Sequence, residues 1–470
     1  MTTFIKGGVV ISATGADPAD VLVDGETIVA LMAPGSSPAK SAEGGASQVI
    51  DADGKYVLPG GVDCHTHMQL RLGSTTSSDT FESGTRAAAW GGTTTIIDFA
   101  AQMAGENVRT CLDERLAEAE GNCAIDYAFH MVLGGVDDSS LKEMDILVEE
   151  GITSFKLFMA YPGTYLSDDA QILRAMQQAA GNGGMIMMHA ENGIAIDLLA
   201  AQAVERGETD PVNHGLVRRA ELESEATHRA IQLAKVGASP LYIVHLSASQ
   251  ALEQVAIARG KGMNVFAETC PQYLYLNLED HLGRPGFDGA GYVCSTPLRS
   301  RHEHHHADLW TGLRTNDLSV VSTDHCPFCM KDQKDLGVGD FRAIPNGIGG
   351  VEHRMDLIYQ GVLQGEISLA RWVELCSTTP ARMFGLYPKK GVIAPGSDAD
   401  IVLYDPEAMW TISVDNHHMN LDYSAYEGFD IQGQVDTVMS RGTVIIEDGK
   451  YLGSAGDGQY QRRGLSSYLI

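Results

Sequence analysis

Residues 60–67 read GGVDCHTH, so that His65 and His67 stand two positions apart directly after an apolar run. Side chains of a strand alternate between its two faces, and residues i and i+2 therefore project on the same side. The two histidines can direct neutral ring nitrogens at one ion such as Zn, Fe, Ni or Cu. A bare His-x-His pair is also compatible with two buried or turn histidines, and the rest of the chain has to decide.

Downstream of this stretch, short apolar runs alternate with longer segments whose apolar residues recur at helical spacing. That alternation is typical of βα units in a parallel sheet. Helical patterns are clearest at 141–150, 170–180, 223–236 and 249–259. We predict eight strands, at residues 58–64, 93–98, 125–132, 153–159, 185–189, 241–245, 263–268 and 318–323. Eight such units predict an α/β fold, a (β/α)8 TIM-like barrel.

The two ends of the chain have a different pattern. Residues 8–11, 21–23 and 28–31 are short β-branched runs broken by Gly, Pro and Ser, which predicts antiparallel strands, and residues 391–405 and 435–446 again indicate strands. Neither end alone has enough strands to bury both faces of a sheet, so we expect one small β-sandwich built from both. The predicted division is an N-terminal β-sandwich segment at 1–57, the barrel at 58–385, a C-terminal β-sandwich segment at 386–450 and a tail at 451–470.

Composition excludes several classes of partner. The chain of 470 residues carries 61 Asp and Glu against 33 Lys and Arg, a formal net charge of -28. Nucleic acid and anionic membranes are therefore unfavourable partners. The opening residues lack a charged segment leading into an apolar one, and no later run reaches the roughly 18 apolar residues of a membrane span. We expect a cytoplasmic protein.

Eight cysteines are spread thinly through the chain, which is not the density of a disulfide-stapled secreted domain. Most should be reduced. Cys326 and Cys329 form a C-x-x-C pair, but no second pair stands at zinc-finger spacing. Two small residues in a loop are the favoured interpretation.

Polar residues that could bind metal fall at one end of the predicted strands. Catalytic residues of a barrel gather at the carboxyl ends of its strands. Taken singly, His189 or His245 would be interpreted as a buried, hydrogen-bonded histidine. Independent structural histidines have no reason to share one end of different strands, so together they predict a metal centre. The candidate ligands are His65, His67, Lys156, His189, His245 and Asp324.

Lys156 is chemically unlike the other candidates. A lysine in an apolar strand would bury an unpaired ammonium, which is costly, and an ammonium cannot bind a cation. Reaction of its amine with CO2 would give a carbamate, a carboxylate-like anion whose two oxygens can bridge two metals. A snorkelling or salt-bridged lysine is the alternative.

Four histidines, a carbamate and an aspartate exceed the needs of one four-coordinate ion, so we expect two divalent ions sharing a bridging hydroxide. A metal lowers the pKa of its water to about 7, which supplies a nucleophile at neutral pH. Asp324 could also take the proton of the attacking hydroxide and hand it to a leaving nitrogen. The set predicts hydrolysis of an amide-like bond.

Residues 301–306, RHEHHH, form a second histidine cluster. Consecutive histidines fan around a helix and cannot all face one ion. We expect this segment to be a solvated helix face.

The motifs together resemble those of a known family. They are GGVDCHTH at 60–67, FKLFMAY at 155–161, HAENG at 189–193, VHLS at 244–247 and TDHCPF at 323–328, with ETCPQYL at 268–274 and IPNG at 344–347. This set closely resembles the dihydropyrimidinase/D-hydantoinase group of cyclic amidohydrolases, almost from end to end. The resemblance implies a metal-dependent barrel with an attached β-sandwich, two zinc ions bridged by an N6-carboxylated Lys156, and a homotetramer.

The resemblance also implies a substrate and its contacts. The substrate would be a small cyclic amide, a 5,6-dihydropyrimidine or a 5-substituted hydantoin, opened to an N-carbamoyl amino acid. Tyr161 would polarise or hold the reacting carbonyl, and backbone groups of Ser295 and Asn346 would bind the ring imide. One departure is Arg71-Leu72-Gly73, where dihydropyrimidinases often have a proline and an aromatic residue. That loop would line the pocket for the exocyclic group, so size preference and stereochemical preference stay open.

Three other enzymes and one non-enzyme remain as alternatives. An allantoinase, an imidase or a dihydroorotase would use the same site, but dihydroorotate carries a carboxylate, for which Arg71 is the only obvious cation. Allantoin is itself a substituted hydantoin. Non-catalytic scaffold relatives should lack several ligands, whereas all six are present here.

Overall fold

A computed structural model describes residues 1–469 of the chain, and its central element is an eight-stranded parallel sheet in which the strands follow in sequence order. A parallel bridge between Thr66 and His325 joins the first strand to the segment after the last. The strands are Gly61–Thr66, Thr93–Gln102, Asp126–Leu133, Ser154–Phe158, Met185–His189, Leu241–Ile243, Val265–Thr269 and Val320–Val321. The predicted α/β barrel is confirmed.

The first and last barrel strands differ from their predicted bounds. The sequence predicts the first at 58–64, but Tyr56–Pro59 pairs with the terminal strands Val9–Ser12 and Ile401–Thr411 instead. Both segments are apolar and only Gly60 lies between them, so the sequence pattern merges two strands. The eighth, predicted at 318–323, forms ladder pairs only at Val320–Val321.

Helices alternate with the barrel strands, and the four predicted helices are confirmed with small shifts in their ends. Asp137 caps the helix Asp138–Glu150 through its side chain, and Gly151 ends it at a φ of 95°, a left-handed conformation that suits glycine. The α-helices are Ser37–Gly45, Phe81–Trp90, Val108–Ala119, Asp138–Glu150, Asp169–Asn182, Gly193–Glu205, Val212–Val217, Ala220–Gly237, Ser249–Gly260, Pro271–Tyr275, His305–Thr315, Arg354–Leu363, Leu369–Val373 and Thr379–Met383. Short 3-10 or π turns occupy Leu278–Leu282, Asp288–Tyr292, Lys334–Gly337, Phe341–Ala343 and Glu374–Thr378.

Two further sheets form the β-sandwich expected from the chain ends. One contains Thr27–Met32, Asp20–Asp24, Thr2–Lys6 and Gln48–Asp51 in that order. The other contains Lys450–Tyr451, Thr443–Glu447, Asp430–Ser440, Ile401–Thr411, Tyr56–Pro59, Val9–Ser12 and Gly15–Pro18. Early and late segments pair directly, which confirms that they complete one another.

Two details of the sandwich differ from the prediction. The pairs Thr2–Lys6 with Gln48–Asp51 and Val9–Ser12 with Tyr56–Pro59 are parallel, not antiparallel, because a crossover through the helix Ser37–Gly45 precedes the later strands. The sequence also predicts a strand over residues 391–400, but the strand starts only at Ile401. The Pro395-Gly396 turn interrupts the extended run, with Gly396 at a φ of 95°.

The interior of the barrel is apolar and is tied across its closure by a buried cation. Side chains including Val62, Ile97 and Phe266 fill the interior. The fully buried Arg354 guanidinium donates from Nη1 to the carbonyls of Val62 at 3.2 Å and Val321 at 3.0 Å. Those carbonyls belong to the first and last strands, so Arg354 joins the two ends of the sheet.

The structure also bears on membrane and disulfide expectations. Within residues 1–469, no helix has both the length and the apolar character needed to span a bilayer. All eight cysteines are free thiols.

Residues near the end of the chain lie beside the barrel, where the Gln461 N–H donates to the Tyr127 carbonyl at 2.7 Å.

Candidate metal centre

The six predicted ligands come together at the carboxyl edge of the barrel. His65 and His189 lie at the ends of their strands, and Lys156 lies in the middle of Ser154–Phe158. The other three, His67, His245 and Asp324, follow the ends of three strands within three residues. The end-of-strand rule therefore brings the right parts of the chain together.

His65, His67 and Asp324 form the closest group. Asp324 Oδ1 lies 3.1 Å from His65 Nε2 and 3.4 Å from His67 Nε2. Burial alone would raise the pKa of Asp324, but the charges and hydrogen bonds of the neighbouring histidines hold it well below its ordinary value. Burial lowers the pKa of His65 far below its ordinary value. The site therefore combines a neutral His65 imidazole with an ionised carboxylate, and imidazole and carboxylate are donors that divalent metals bind.

His189 and His245 form a second pair. His189 Nδ1 faces His245 Nε2 at 3.0 Å, while His189 Nε2 lies 2.8 Å from Glu191 Oε2. Burial lowers the pKa of His245 far below its ordinary value, so that ring is neutral as well. The carboxylate on one side of His189 fixes its ring, and the other nitrogen is directed toward the centre of the group.

Lys156 lies between the two histidine pairs. Its Nζ is 2.9 Å from His65 Nε2 and 4.4 Å from the centroid of the Phe99 ring. Among residues 1–469, no carboxylate oxygen lies within 4.0 Å of it, so the salt-bridge interpretation does not describe this lysine. Burial lowers the pKa of Lys156 to about 8, which leaves an appreciable share of neutral amine near neutral pH.

The donor atoms of these residues suit metal binding better than hydrogen bonding to one another. Inward-facing nitrogens of four histidines meet an amine and a carboxylate, and the buried Nδ1 atoms of His67 and His245 have no hydrogen-bond partner among the described residues. Imidazole nitrogens at 2.9 and 3.0 Å from other nitrogens are a poor substitute for hydrogen bonds to oxygen. Among metal-competent groups of His, Cys, Asp and Glu in residues 1–469, His65, His67 and Asp324 form one of two.

The other such group does not resemble a metal site. Asp126, Asp398 and Asp400 surround Lys390, whose Nζ lies 2.5, 2.9 and 2.7 Å from their respective oxygens. The Lys390 ammonium already occupies the position between these carboxylates, and Arg441 Nε pairs with Asp126 at 3.0 Å, so two side-chain cations stand where an ion would bind.

A cavity of about 330 Å³ opens beside the candidate ligands. The three predicted substrate residues Tyr161, Ser295 and Asn346 line it, and Asn346 Nδ2 donates to Ser295 Oγ at 3.1 Å. Burial raises the pKa of Tyr161 to about 12, so its hydroxyl stays protonated and can donate. The remaining wall is largely apolar, with Leu70, Leu72, Phe99, Ala101, Met103, Val132, Phe158 and Tyr165.

Three residues at this edge have left-handed backbones although they are not glycine. The φ values are 63° at Tyr161, 39° at His245 and 50° at Asp324. Such conformations cost of order 1–3 kcal/mol each and cluster at functional sites, where the surroundings enforce them. The fold thus sacrifices local backbone stability to place these three side chains.

Two buried glutamates at the site have no role in the sequence-based prediction. Glu268 Oε1 lies 2.5 Å from His65 Nδ1 and accepts from the His245 N–H at 3.1 Å. Burial raises the pKa of Glu268 to about 7, despite these donors and the Tyr242 hydroxyl. Glu191 faces His189 as described above. Each carboxylate fixes the ring nitrogen that points away from the centre, as partners of metal-binding histidines commonly do.

The histidine segment 301–306 is only partly the solvated face that the sequence predicts. His302 and His304 are exposed, but His305 is buried, because its Nδ1 accepts from the Ser249 N–H at 3.0 Å and its Nε2 faces Glu303 at 2.7 Å. The ring thus accepts a hydrogen bond from the first residue of the helix Ser249–Gly260, a contact that sequence spacing alone does not indicate. Cys326 and Cys329 lie in a loop, as the sequence predicts.

A parallel barrel that gathers four histidines, a lysine and an aspartate at its carboxyl edge defines the class of metal-dependent barrel hydrolases. Comparison with known proteins narrows this class. Residues 56–445 match the model of the Amidohydrolase family. The chain belongs to that family.

The relatives reported below are all named D-hydantoinase or dihydropyrimidinase. A D-hydantoinase of Streptomyces coelicolor (strain ATCC BAA-471 / A3(2) / M145) is 61% identical over 467 residues, which cover 99% of each chain. A D-hydantoinase of Geobacillus stearothermophilus is 44% identical over 472 residues, covering 100% of this chain and 98% of the relative. The crystal structure of dihydropyrimidinase from Brevibacillus agri NCHU1002 superposes with a TM-score of 0.96 at 43% identity, covering 99% of each chain. The resemblance to the dihydropyrimidinase/D-hydantoinase group is confirmed.

Replacing Glu268 by glutamine is expected to weaken metal binding about 10- to 100-fold, because the neutral amide holds His65 less firmly and lowers its basicity. Competition with a chelator of known affinity measures the effect. Glu253→Gln, an exposed change on the helix Ser249–Gly260, is the matched control and should bind metal normally. Equal metal affinity in both variants would remove Glu268 from the account of the site.

Proposed function

We propose that this enzyme opens the rings of 5,6-dihydropyrimidines and 5-substituted hydantoins, giving N-carbamoyl amino acids. The observation that carries the proposal is the group of six candidate ligands, Asp324 among them, beside a cavity of about 330 Å³ that both polar and apolar side chains line. The full-length similarity to proteins named D-hydantoinase and dihydropyrimidinase supports the same reaction.

Two Zn²⁺ ions are the proposed cofactor, since imidazole nitrogens and carboxylate oxygens are ordinary zinc ligands. His65 and His67 would hold one ion, His189 and His245 the other, and Asp324 and the modified Lys156 would complete the set. The bound ions would supply an activated water near neutral pH and a Lewis acid for the amide carbonyl.

Lys156 is proposed to carry a carboxylate on its Nζ. The neutral amine attacks CO2, a new N–C bond forms, and the nitrogen loses one proton, which leaves a carbamate anion. Burial without a counter-ion supports this change, because it lowers the pKa of Lys156 to about 8 and so makes the neutral amine accessible. The carbamate would turn an unpaired buried amine into an anionic metal ligand.

Asp324 is proposed as the proton carrier. During hydrolysis the water oxygen bonds to the ring carbonyl carbon, the C–N bond breaks, and the leaving nitrogen takes a proton. The ionised carboxylate, kept so by His65 and His67, can accept the proton from water and then donate it to that nitrogen. One residue would thus serve both halves of the reaction.

The cavity walls suggest how the ring is oriented. Main-chain groups at Ser295 and Asn346 can bind the imide, which places the opposite edge of the ring near Asp324. The apolar wall formed by Leu72, Phe158 and Tyr165 can receive the exocyclic substituent. We propose preference for the D enantiomer of 5-substituted hydantoins, supported by the 61% identical relative named D-hydantoinase.

Tyr161→Phe is expected to lower kcat about 100-fold with little change in KM, because the hydroxyl would stabilise charge that develops on the carbonyl oxygen in the transition state. Steady-state kinetics on dihydrouracil measures both constants. Tyr165→Phe removes a hydroxyl from the same cavity and should change kcat less than about threefold. Equal kcat values in the two variants would contradict the role of Tyr161.

A substrate panel tests the proposed function against its alternatives. We expect dihydrouracil and D-5-phenylhydantoin to be opened faster than allantoin or dihydroorotate. The Arg71 side chain lines the cavity but is 81% exposed, and its guanidinium already pairs with Glu118 at 3.2 Å, so it is a poor partner for a ring carboxylate. If only allantoin or dihydroorotate is opened, the enzyme would instead be an allantoinase or a dihydroorotase of the same family. Failure to open any ring, with no bound metal, would indicate a scaffold protein.

We propose a homotetramer in the cytoplasm. The helix Gly193–Glu205 supports self-association, because its side chains Ile194 and Leu198 are 68% and 60% exposed. A helix with apolar residues on its outer face gains stability when a second chain covers it. The proposed location in the cytoplasm has a separate support, since eight free thiols suit a reducing compartment. Light scattering on the purified protein measures the number of chains, and a monomer would contradict the proposed assembly.

A further inference from the structure

Lys334 is a fully buried lysine outside the candidate metal centre. It begins the short 3-10 helix Lys334–Gly337, and its side chain is 0% exposed. Among residues 1–469, no carboxylate lies within 4.0 Å of its Nζ. Burial lowers the pKa of Lys334 to about 7, because an ammonium in such a place costs free energy. Hydrogen bonds to the ammonium offset part of that cost.

Three carbonyl oxygens satisfy that ammonium. Nζ donates to Val293 at 3.0 Å, to Pro345 at 2.9 Å and to Gly347 at 2.8 Å. An ammonium has three N–H donors, so each donor has one acceptor. All three acceptors belong to two loops, and these loops carry the residues that line the cavity, Ser295 and Asn346.

The direction of the Asn346 N–H follows from the planar peptide bond. The Pro345 carbonyl and the Asn346 N–H belong to one peptide group, and in a trans peptide they point in opposite directions. Because Lys334 binds the carbonyl, the N–H of Asn346 points away from Lys334. This N–H donates to no acceptor among the described residues, so it is available to a ligand.

The same loop is also fixed to the metal side of the site. The Gly347 N–H donates to the Val293 carbonyl at 2.9 Å, which joins the two loops. Gly347 has a φ of 153°, and a Cβ there would lie 2.0 Å from the Cys326 carbonyl oxygen. Cys326 is two residues from Asp324, so the distance between the ring-binding loops and the proton carrier is set by close packing.

We propose that Lys334 is a positioning residue for the substrate ring: its ammonium fixes the orientation of the peptide groups in both loops that contact the imide. The inference rests on the proposed function, because it assigns a purpose to the loops of Ser295 and Asn346. Lys334 itself does not touch the substrate. Its effect passes through the carbonyls of Val293, Pro345 and Gly347.

Lys334→Met tests the proposal, with Lys331→Met as the matched control, since Lys331 is exposed on the same loop. Steady-state kinetics on dihydrouracil and 5-phenylhydantoin, metal content and amide hydrogen exchange are measured on both variants. We expect Lys334→Met to raise KM about tenfold, the loss of one or two ring hydrogen bonds, with kcat changed less than about threefold and full metal content. Amides of residues 293–296 and 346–348 should exchange faster than in the control.

Other outcomes separate the possibilities. An unchanged KM would overturn the inference, and so would a parallel loss of kcat and metal, which would show a purely structural role. If Lys334→Met does not fold, Lys334→Gln is measured in the same way, and an unaltered KM in that variant would overturn the inference as well. Failure of the unsubstituted enzyme to open either ring would instead overturn the proposed function.

Discussion

Lys156→Ala is expected to lose at least about 10³-fold in kcat/KM, together with most of its bound metal. Without the proposed carbamate, the two histidine pairs lack their shared anionic ligand, and a metal contributes several kcal/mol to the transition state, at about 1.4 kcal/mol per factor of ten. The alanine also leaves a cavity between Phe99 and Phe158, whose rings now lie 4.4 and 5.0 Å from Nζ. Kinetics and elemental analysis of the same preparation measure both losses.

Chemical rescue separates the carbamate from a simple packing role. Acetate or propionate can enter the space left by the side chain and present two carboxylate oxygens, so we expect either to restore some of the activity and the metal content. Lys142→Ala, an exposed change on the helix Asp138–Glu150, is the control and should behave like the unsubstituted enzyme. Normal activity in Lys156→Ala without added acid would contradict the two-metal arrangement.

Asp324→Asn is expected to lower kcat by about 10³-fold or more while at least one metal stays bound. The amide has nearly the same shape as the carboxylate but cannot accept and pass on a proton, a function that contributes typically 10²- to 10⁴-fold. Four histidines and Lys156 remain as candidate ligands. The expected signature is thus lost turnover with retained metal, whereas Glu268→Gln is expected to weaken metal binding.

Asp317→Asn provides the matched control, because this carboxylate lies outside the cavity at the start of the segment that leads into the eighth strand. Metal content, kcat and thermal stability should match those of the unsubstituted enzyme. A kcat of Asp324→Asn above about a tenth of the normal value would mean that another group moves the proton.

The main features of the fold follow from local patterns. Strand and helix periods alternate so regularly that the barrel and four of its helices are predictable, and the end-of-strand rule then groups the six candidate ligands. The prediction of strand boundaries fails where two apolar strands adjoin. Val57 and Leu58 pair with the sandwich, and their partners Val9–Ser12 and Ile401–Thr411 are both distant in sequence. Parallel pairing in the sandwich is likewise a property of chain segments far apart in sequence.

The supporting residues of the site are accessible to the same rules, although the sequence-based prediction omits them. Glu268 ends a predicted strand just as His189 does, and Glu191 stands two positions after His189, so both satisfy the criteria used for the histidines. Lys334 gives no such signal. It lies in an irregular loop, and its importance comes from three carbonyl groups whose convergence only the folded structure shows.

Metal titration of the metal-free enzyme tests the central claim most directly. Zinc is removed with a chelator, the protein is confirmed to remain folded, and dihydrouracil hydrolysis is followed as zinc and bicarbonate are returned. We predict that activity rises to its maximum at two zinc ions per chain and needs bicarbonate to recover fully. Full activity without metal, or a maximum at one ion per chain, would contradict the account.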